Sequence, residues 1–326
     1  MRRQPPAAIA FYSLNALLFP ITLIGYLLWI VGGVVRAHES KVSMTAQGPL
    51  SARWTMDQFG VRRDVAAARI MPILPGVPWL ASRLTSFPMF FAHRVTGFVP
   101  KTFRYPFKGE VPPQLEAAAR VTFFDDIVER SVPEIDQLVI LGAGFDTRPY
   151  RLPHDTSVRS FEVDLPATQD VKRRLLDEVG VDTRAVTFVA ADFGKDDWLA
   201  ELIDAGFDPT RPALFVWEGV IIYLDQTAVE DTLRRLARCA KGTLIAFDYF
   251  SSLAVDSREP YWRFARAATR RAGEPIKFGV DATPPLAERV AELLAACGLT
   301  VRQHRTLGDE SGSRRAWGGF TVAAVE

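Results

Sequence analysis

The sequence predicts a doubly wound α/β fold, a mostly parallel sheet with helices on both faces, and three observations carry the prediction. From residue 138 onward, short β-prone runs alternate with helical segments, the pattern of parallel strands joined by crossovers. The first run, Leu138 to Leu141, breaks into a turn holding Gly142 and Gly144; the second, Val158 to Val163, ends on Asp164, 22 residues after Gly142. The last two runs, Thr300 to Arg305 and Gly318 to Val325, have no helix between them and are expected to pair antiparallel at the sheet edge.

The stretch 138–164 reads as a nucleoside half-site. In such folds the turn after the first strand lets the backbone approach a ligand, and an acid closing the second strand reaches a ribose diol. A dinucleotide fingerprint would carry a third glycine where Thr147 stands. Pro149 follows, so no phosphate-cradling helix N-terminus is expected. S-adenosylmethionine carries a ribose and an adenine without a phosphate, and this turn suits it better than NAD.

In chain order, no charged residue lies between Arg3 and Arg36, and positions 7–35 are dominated by aliphatic and aromatic side chains. Roughly 20 apolar residues cross a bilayer core, and a cleaved signal has only ~7–15 in its apolar region. The run is therefore expected to be an uncleaved membrane anchor, a transmembrane helix that Pro20 kinks or turns into a shallow hairpin; a hydrophobic helix packed on the domain is the alternative. Basic residues flank both ends (Arg2 and Arg3; Arg36, Lys41 and Arg53), so orientation follows from a cytosolic cofactor, which the body must face. Positions 41–64 turn polar and helical. Positions 65–109 hold no Asp or Glu; basic residues such as Arg83, Arg94 and Lys101 alternate there with aromatics such as Trp79, Phe87 and Phe91. Six prolines in that segment argue against one long helix. It reads as a membrane-lying surface, a substrate lid, or both.

A helix is expected over Pro113 to Arg130, with Phe123 and Ile127 on one side. Helices over Ala167–Glu178, Asp196–Asp204 and Gln226–Ala240 then alternate with strands over Val186–Ala190, Ala213–Trp217 and Thr243–Phe247. These strands run into Asp192, Glu218 and Asp248 in turn. A charged amphipathic insertion over Arg258–Arg271 precedes a helix over Pro285–Cys297, stopped by Gly298. The expected division is 1–40 anchor, 41–112 lid or interface segment, 113–326 nucleoside-binding domain.

Composition excludes several functions. Lys plus Arg (39) nearly cancels Asp plus Glu (38), which gives no electrostatic case for nucleic acid. Cys239 and Cys297 are read as reduced buried thiols. His38, His93, His154 and His304 lack metal-ligand spacing, and no metal is expected.

The motifs V-I-L-G-A-G-F-D-T-R-P-Y-R-L (139–152), F-E-V-D-L-P (161–166), A-D-F (191–193) and F-V-W-E-G-V-I-I-Y-L (215–224) together resemble the leucine carboxyl methyltransferase family, in its bacterial S-adenosylmethionine-dependent O-methyltransferase branch. Ser43 to Ala46, and Arg120 with Phe123 to Asp125, match more weakly. The resemblance implies a class I methyltransferase (Rossmann-like) fold with a seven-stranded, mostly parallel sheet and an antiparallel edge strand. It places Gly142 and Gly144 against the methionine portion of S-adenosyl-L-methionine, Asp164 on the ribose, Asp192 and Phe193 beside the adenine, Glu218 near the amino group and Arg120 on the carboxylate. Around Arg120 the chain reads Arg-Val-Thr-Phe-Phe where the family more usually has Arg-Thr-Arg-Phe. Asp146, Arg148 and Arg151 read equally well as an ion pair fixing the turn, and Tyr150 with Arg151 as groups orienting an anionic acceptor. A carboxylate acceptor needs no general base, being ionised at neutral pH, and none is conspicuous. The expected acceptor is thus a carboxyl or acidic hydroxyl of a lipophilic small molecule. A protein C-terminal carboxyl methyltransferase and a non-catalytic, membrane-tethered nucleoside-binding protein remain as alternatives.

Overall fold

The computed structural model describes residues 6–36, 46–75, 78–108, 111–153, 155–271, 273–311 and 314–326, without the side chains of 29–36 and Gln114. Arg2, Arg3, His38, Lys41, Ser43 to Thr45 and His154 lie outside the described residues.

Seven strands form one sheet in the order β3-β2-β1-β4-β5-β7-β6. They are β1 (Gln137–Leu141), β2 (Arg159–Asp164), β3 (Val186–Ala190), β4 (Ala213–Trp217), β5 (Leu244–Phe250), β6 (Thr300–Leu307) and β7 (Gly318–Ala324). The first five pair parallel, whereas β7 runs antiparallel to both β5 and β6. This is the class I methyltransferase topology that the resemblance implied. Along β1 the pleat sends Val139 and Leu141 into one core and Leu138 and Ile140 into the other, and all four are buried. A parallel strand covered on both faces must be apolar at every position, hence the uninterrupted run in the sequence.

The helices are α1 (Pro6–Leu17), α2 (Phe19–Arg36), α3 (Gln47–Gln58), α4 (Val65–Ile70), α5 (Trp79–Thr96), α6 (Glu116–Ser131), α7 (Pro166–Glu178), α8 (Trp198–Asp204), α9 (Gln226–Leu236), α10 (Leu253–Asp256), α11 (Pro260–Arg271) and α12 (Leu286–Ala296). Trp198 of α8, Leu233 of α9 and Val290 of α12 share a core with Val139 and Leu141. Phe124 and Ile127 of α6 pack with Ile140 on the other face. Between β1 and β2 the chain makes only a 3-10 turn, Arg148–Arg151, and α3 and α4 pack with Phe145 and α7 instead. Cys239 and Cys297 are buried in the first core, and burial pushes the Cys239 thiol up to about 11.

Three expectations are corrected. The N-terminal apolar run is bent, as expected, but the break falls at Leu18 and not at Pro20, with α1 at 53° to the 19–28 part of α2. Among the described residues no single helix is long and apolar enough to cross a membrane, although the bent pair of α1 and residues 19–28 has the length and composition together. Second, α5 runs through Pro88 for 18 residues, although prolines argued for short pieces. Third, β5 extends through Asp248, so that acid lies within the strand rather than after it.

Candidate functional site

The chain leaves β1 toward β2 on one side and adds β4 on the other, and the carboxyl ends of β1 and β4 border the crevice where such sheets bind ligands. A cavity of about 250 Å³ lies there. The turns after β1, β2, β3 and β4 line it through Gly142 to Asp146, Asp164 with Leu165, Asp192 with Phe193, and Glu218 to Val220. Arg120 of α6 and Arg53 of α3 close it from the helical side. Each cofactor-facing residue read from the sequence, Arg120, Gly142, Gly144, Asp164, Asp192, Phe193 and Glu218, thus borders this one cavity.

Local conformation explains the glycines. Gly142 has φ +67° and Gly144 φ +44°, left-handed values that side chains with a Cβ disfavour. A Cβ on Gly142 would also stand 2.4 Å from Val220 Cγ2. The amides of Gly142 and Ala143 both donate to the Val163 carbonyl, at 2.8 and 3.1 Å, and draw the turn over the end of β2. There Asp164 accepts from the amides of Gly144 (2.5 Å) and Leu165 (2.6 Å). Burial raises the Asp164 pKa despite these two donors. Each carboxylate oxygen keeps a second lone pair, which suits a vicinal diol. Where a dinucleotide site would place its third glycine, the Thr147 hydroxyl donates to Asp64 Oδ2 at 2.6 Å. Asp64 in turn caps α4 through the Ala67 amide, so this position ties the turn to the N-terminal helices.

One side of the cleft is a buried ionic cluster. Arg53 Nη2 meets Glu218 Oε2 at 2.9 Å and Asp146 Oδ2 at 3.3 Å. Arg148 reaches Glu218 at 2.5 Å and Asp125 at 2.7 Å, and it also pairs with Asp146. Arg120 contacts Asp248 (3.0 Å), Glu116 (3.3 Å) and Glu218 (3.4 Å). Burial opposes charge on Arg120 and Arg148, but the surrounding carboxylates hold both above the usual arginine range. Burial works against ionised Asp146 too, but Arg148 and Arg53 bring it down to about 2. Glu116 goes the other way: burial lifts it to about 7 although Arg120 faces it. Three buried atoms of residues lining this cavity make no hydrogen bond: Arg53 Nε, and Arg120 Nε and Glu218 Oε1, which face each other as an ion pair at 3.4 Å. Buried polar groups left without partners are uncommon, and two donors beside one acceptor match the carboxylate and ammonium of an amino acid.

Asp192 and Phe193 also line the cavity. Lys195 and the Gly194 amide, both at hydrogen-bond distance, keep Asp192 below the usual carboxylate range. Phe193 packs against the first core and is fixed beside Trp198, 5.7 Å between ring centroids.

Tyr150 and Arg151 are not on the cavity wall. The Tyr150 hydroxyl donates to Glu162 at 2.7 Å, above the buried Lys172–Glu162 pair. Arg151 binds Asp125 (2.9 Å) and Asp64 (3.2 Å) behind the site. Both brace the turn, as do Asp146 and Arg148 in the ion-pair reading. None of the described residues of 65–109 lines the cavity either. Sequence reasoning missed Arg53 as a site residue, and also Glu116 and Asp248. Arg53 looked like a juxtamembrane charge, and only its place on α3 brings it to Glu218.

Sheet order and cleft define a class I methyltransferase-type nucleoside-binding domain. Residues 108–237 match the model of the family described as Leucine carboxyl methyltransferase, in agreement with the resemblance read from the motifs. A protein of Mycolicibacterium vanbaalenii is 35% identical over 162 residues, 48% of this chain and 51% of that protein. One of Mycobacterium avium is 32% identical over 163 residues, 49% of this chain and 54% of the other. Both are described as "Putative S-adenosyl-L-methionine-dependent methyltransferase". The matches span about half the length of these relatives. Among solved structures, a DUF574 family protein of Streptomyces avermitilis aligns at 16% identity and TM-score 0.47, over 85% of this chain and 97% of that one.

Proposed function

We propose that this protein is an S-adenosylmethionine-dependent O-methyltransferase acting on a carboxyl or acidic hydroxyl group of a lipophilic small molecule, polyketide- or lipid-like, met at a membrane with the catalytic body in the cytoplasm. The observation that supports the cofactor reading is that Arg53 Nε, Arg120 Nε and Glu218 Oε1 are buried without a hydrogen bond in residues that line the same cavity as a diol-ready Asp164. Asp164 would hold the ribose hydroxyls and Glu218 the ammonium, while Arg120 and Arg53 would share the carboxylate. Asp192 and Phe193 would flank the adenine. The cofactor supplies a methyl group already activated as a sulfonium.

In-line methyl transfer asks the protein mainly to align the reactants and exclude water. Among the described residues no histidine borders the cavity; Asp146, Asp164, Asp192 and Glu218 are each engaged by arginines, Lys195 or backbone amides, and Tyr223 and Glu274 line it as well. This favours an acceptor that arrives as an anion and needs no base. The test is labelled methyl transfer from S-adenosylmethionine to long-chain carboxylic acids, phenols and aliphatic alcohols. Acids and acidic phenols should accept and simple alcohols should not. Label appearing only in protein would instead support a protein carboxyl methyltransferase, and label transferred to none of them would sink the catalytic reading.

A further inference from the structure

We propose that α1, α2 and the outer stripe of α5 form an in-plane dock for an anionic lipid bilayer, lying in the headgroup–acyl boundary without crossing it. This deepens, and rests on, the membrane part of the reading above; it requires neither methyl transfer nor a particular acceptor.

The geometry begins at α5, which presents three sides. Ala81 and Thr85 meet α2 at Gly25, where a Cβ would stand 2.5 Å from the Thr85 amide nitrogen. Phe90 and His93 meet α3, with ring centroids 5.1 Å (Phe90–Trp54) and 4.9 Å (His93–Phe59) apart. The third stripe, Leu80, Arg83, Phe87, Phe91 and Arg94, recurs every three or four residues and is exposed. Against this scaffold α2 is covered essentially on its glycine side; Phe19, Leu23, Ile24 and Leu27 are all exposed, and Leu17 at the bend is 75% exposed. A helix apolar all round belongs in a core or in lipid, and the described side chains of α2, 19–28, are not in a core. Soluble monomers rarely leave such contiguous apolar surface in water.

The same geometry argues against a span. Helix α1 has 12 residues, about 18 Å at 1.5 Å per residue, against about 30 Å of hydrocarbon. The 53° bend at Leu18 turns α2 away from α1, and the close approach at Gly25 keeps α2 on α5. If α2 were driven through the bilayer it would drag the α5 stripe with it, and Arg83 and Arg94 are costly at the bilayer centre. In the interface those two arginines are an asset. Arg83 stacks over the Trp79 ring at 4.4 Å and Arg104 over Phe98 at 5.5 Å, aromatic–cation pairs suited to the headgroup level. Positions 65–109 add no acid, so charge complementarity selects anionic headgroups. Helix α3 links dock to site, since Trp54 and Phe59 face α5 while Pro49 and Arg53 line the cavity. A lipid-dissolved acceptor would leave the bilayer one helix away from the cleft.

The experiment is flotation of the full chain with vesicles of phosphatidylcholine alone or with one third phosphatidylglycerol, followed by an alkaline carbonate wash. Binding should be at least tenfold stronger on the anionic vesicles, weaken with salt, and be released by carbonate. Arg83→Ala with Arg94→Ala should weaken binding to anionic vesicles roughly thirtyfold. Phe87→Ser with Phe91→Ser should weaken it on both compositions. All four positions are exposed, and S-adenosylmethionine titration of the same samples should be unchanged in both variants. Failure to float, retention after carbonate (a spanning anchor), or a stable lipid-free dimer that no longer binds vesicles would each overturn the dock. Lost flotation with intact cofactor binding refutes only this inference; lost cofactor binding with intact flotation refutes only the methyl-donor reading.

Discussion

Replacing Glu116 by Gln should stabilise the apo protein at alkaline pH. Glu116 is buried, its Oε1 has no hydrogen bond, and it shares Arg120 with Asp248 and Glu218, so one guanidinium faces three carboxylates. Burial therefore raises its pKa from 4.5 to about 7. A carboxyl whose folded pKa is raised binds its proton more tightly in the native state. Its stabilising contribution is complete below pH 4.5 and is lost as pH rises through about 7. A shift of that size, which already contains the opposing effect of Arg120, corresponds to roughly 3 kcal/mol. Asp146, lowered to about 2, acts in a separate acid window, losing its contribution as pH falls from about 4 toward 2. Urea unfolding at pH 5 and pH 8 would measure the difference. Wild type should lose on the order of 2–3 kcal/mol more than Glu116→Gln across that interval. A variant less stable than wild type at pH 8 would show that the 3.3 Å pair with Arg120 is a net gain and refute the reasoning.

Other substitutions separate the roles in the cleft. Gly142→Ala must place a Cβ at φ +67° beside Val220 and should cost about 1–2 kcal/mol from conformation alone; adding Val220→Ala should relieve the contact but not that part of the loss in a thermal melt. Glu218→Gln should weaken S-adenosylmethionine at least tenfold in calorimetry yet leave adenosine, which lacks the amino acid, nearly unaffected. Tyr150→Phe should remove about 1 kcal/mol of stability with the hydrogen bond to Glu162 and leave cofactor affinity unchanged. A large loss of affinity would return Tyr150 to the binding site.

The sheet was legible because each of its features has a local cause. Doubly buried strands must be apolar throughout, turns with positive φ select glycine, and ligand-facing acids sit where strands end. Gly142, Gly144, Asp164, Asp192 and Glu218 could be placed on those grounds together with the resemblance. What stayed hidden depends on contacts far apart in sequence. Arg53 reaches Glu218 across 165 residues, and nothing local distinguishes it from a charge beside a membrane segment. Tyr150 and Arg151 follow the glycine turn directly, but the 3-10 turn directs them to Glu162 and to Asp125. Hydropathy likewise showed an apolar N-terminus without showing that Leu18 bends it and Gly25 fastens it to α5.

The central claim is that the cleft between β1 and β4 binds a methyl donor through Asp164. Calorimetric titration of S-adenosylmethionine, S-adenosylhomocysteine and NAD into wild type and Asp164→Ala tests it most directly. The first two should bind and NAD little or not at all, with a loss of about 10- to 100-fold in the variant as the ribose hydroxyls lose a charged acceptor. Tight binding of NAD with no response to the other two ligands would contradict it.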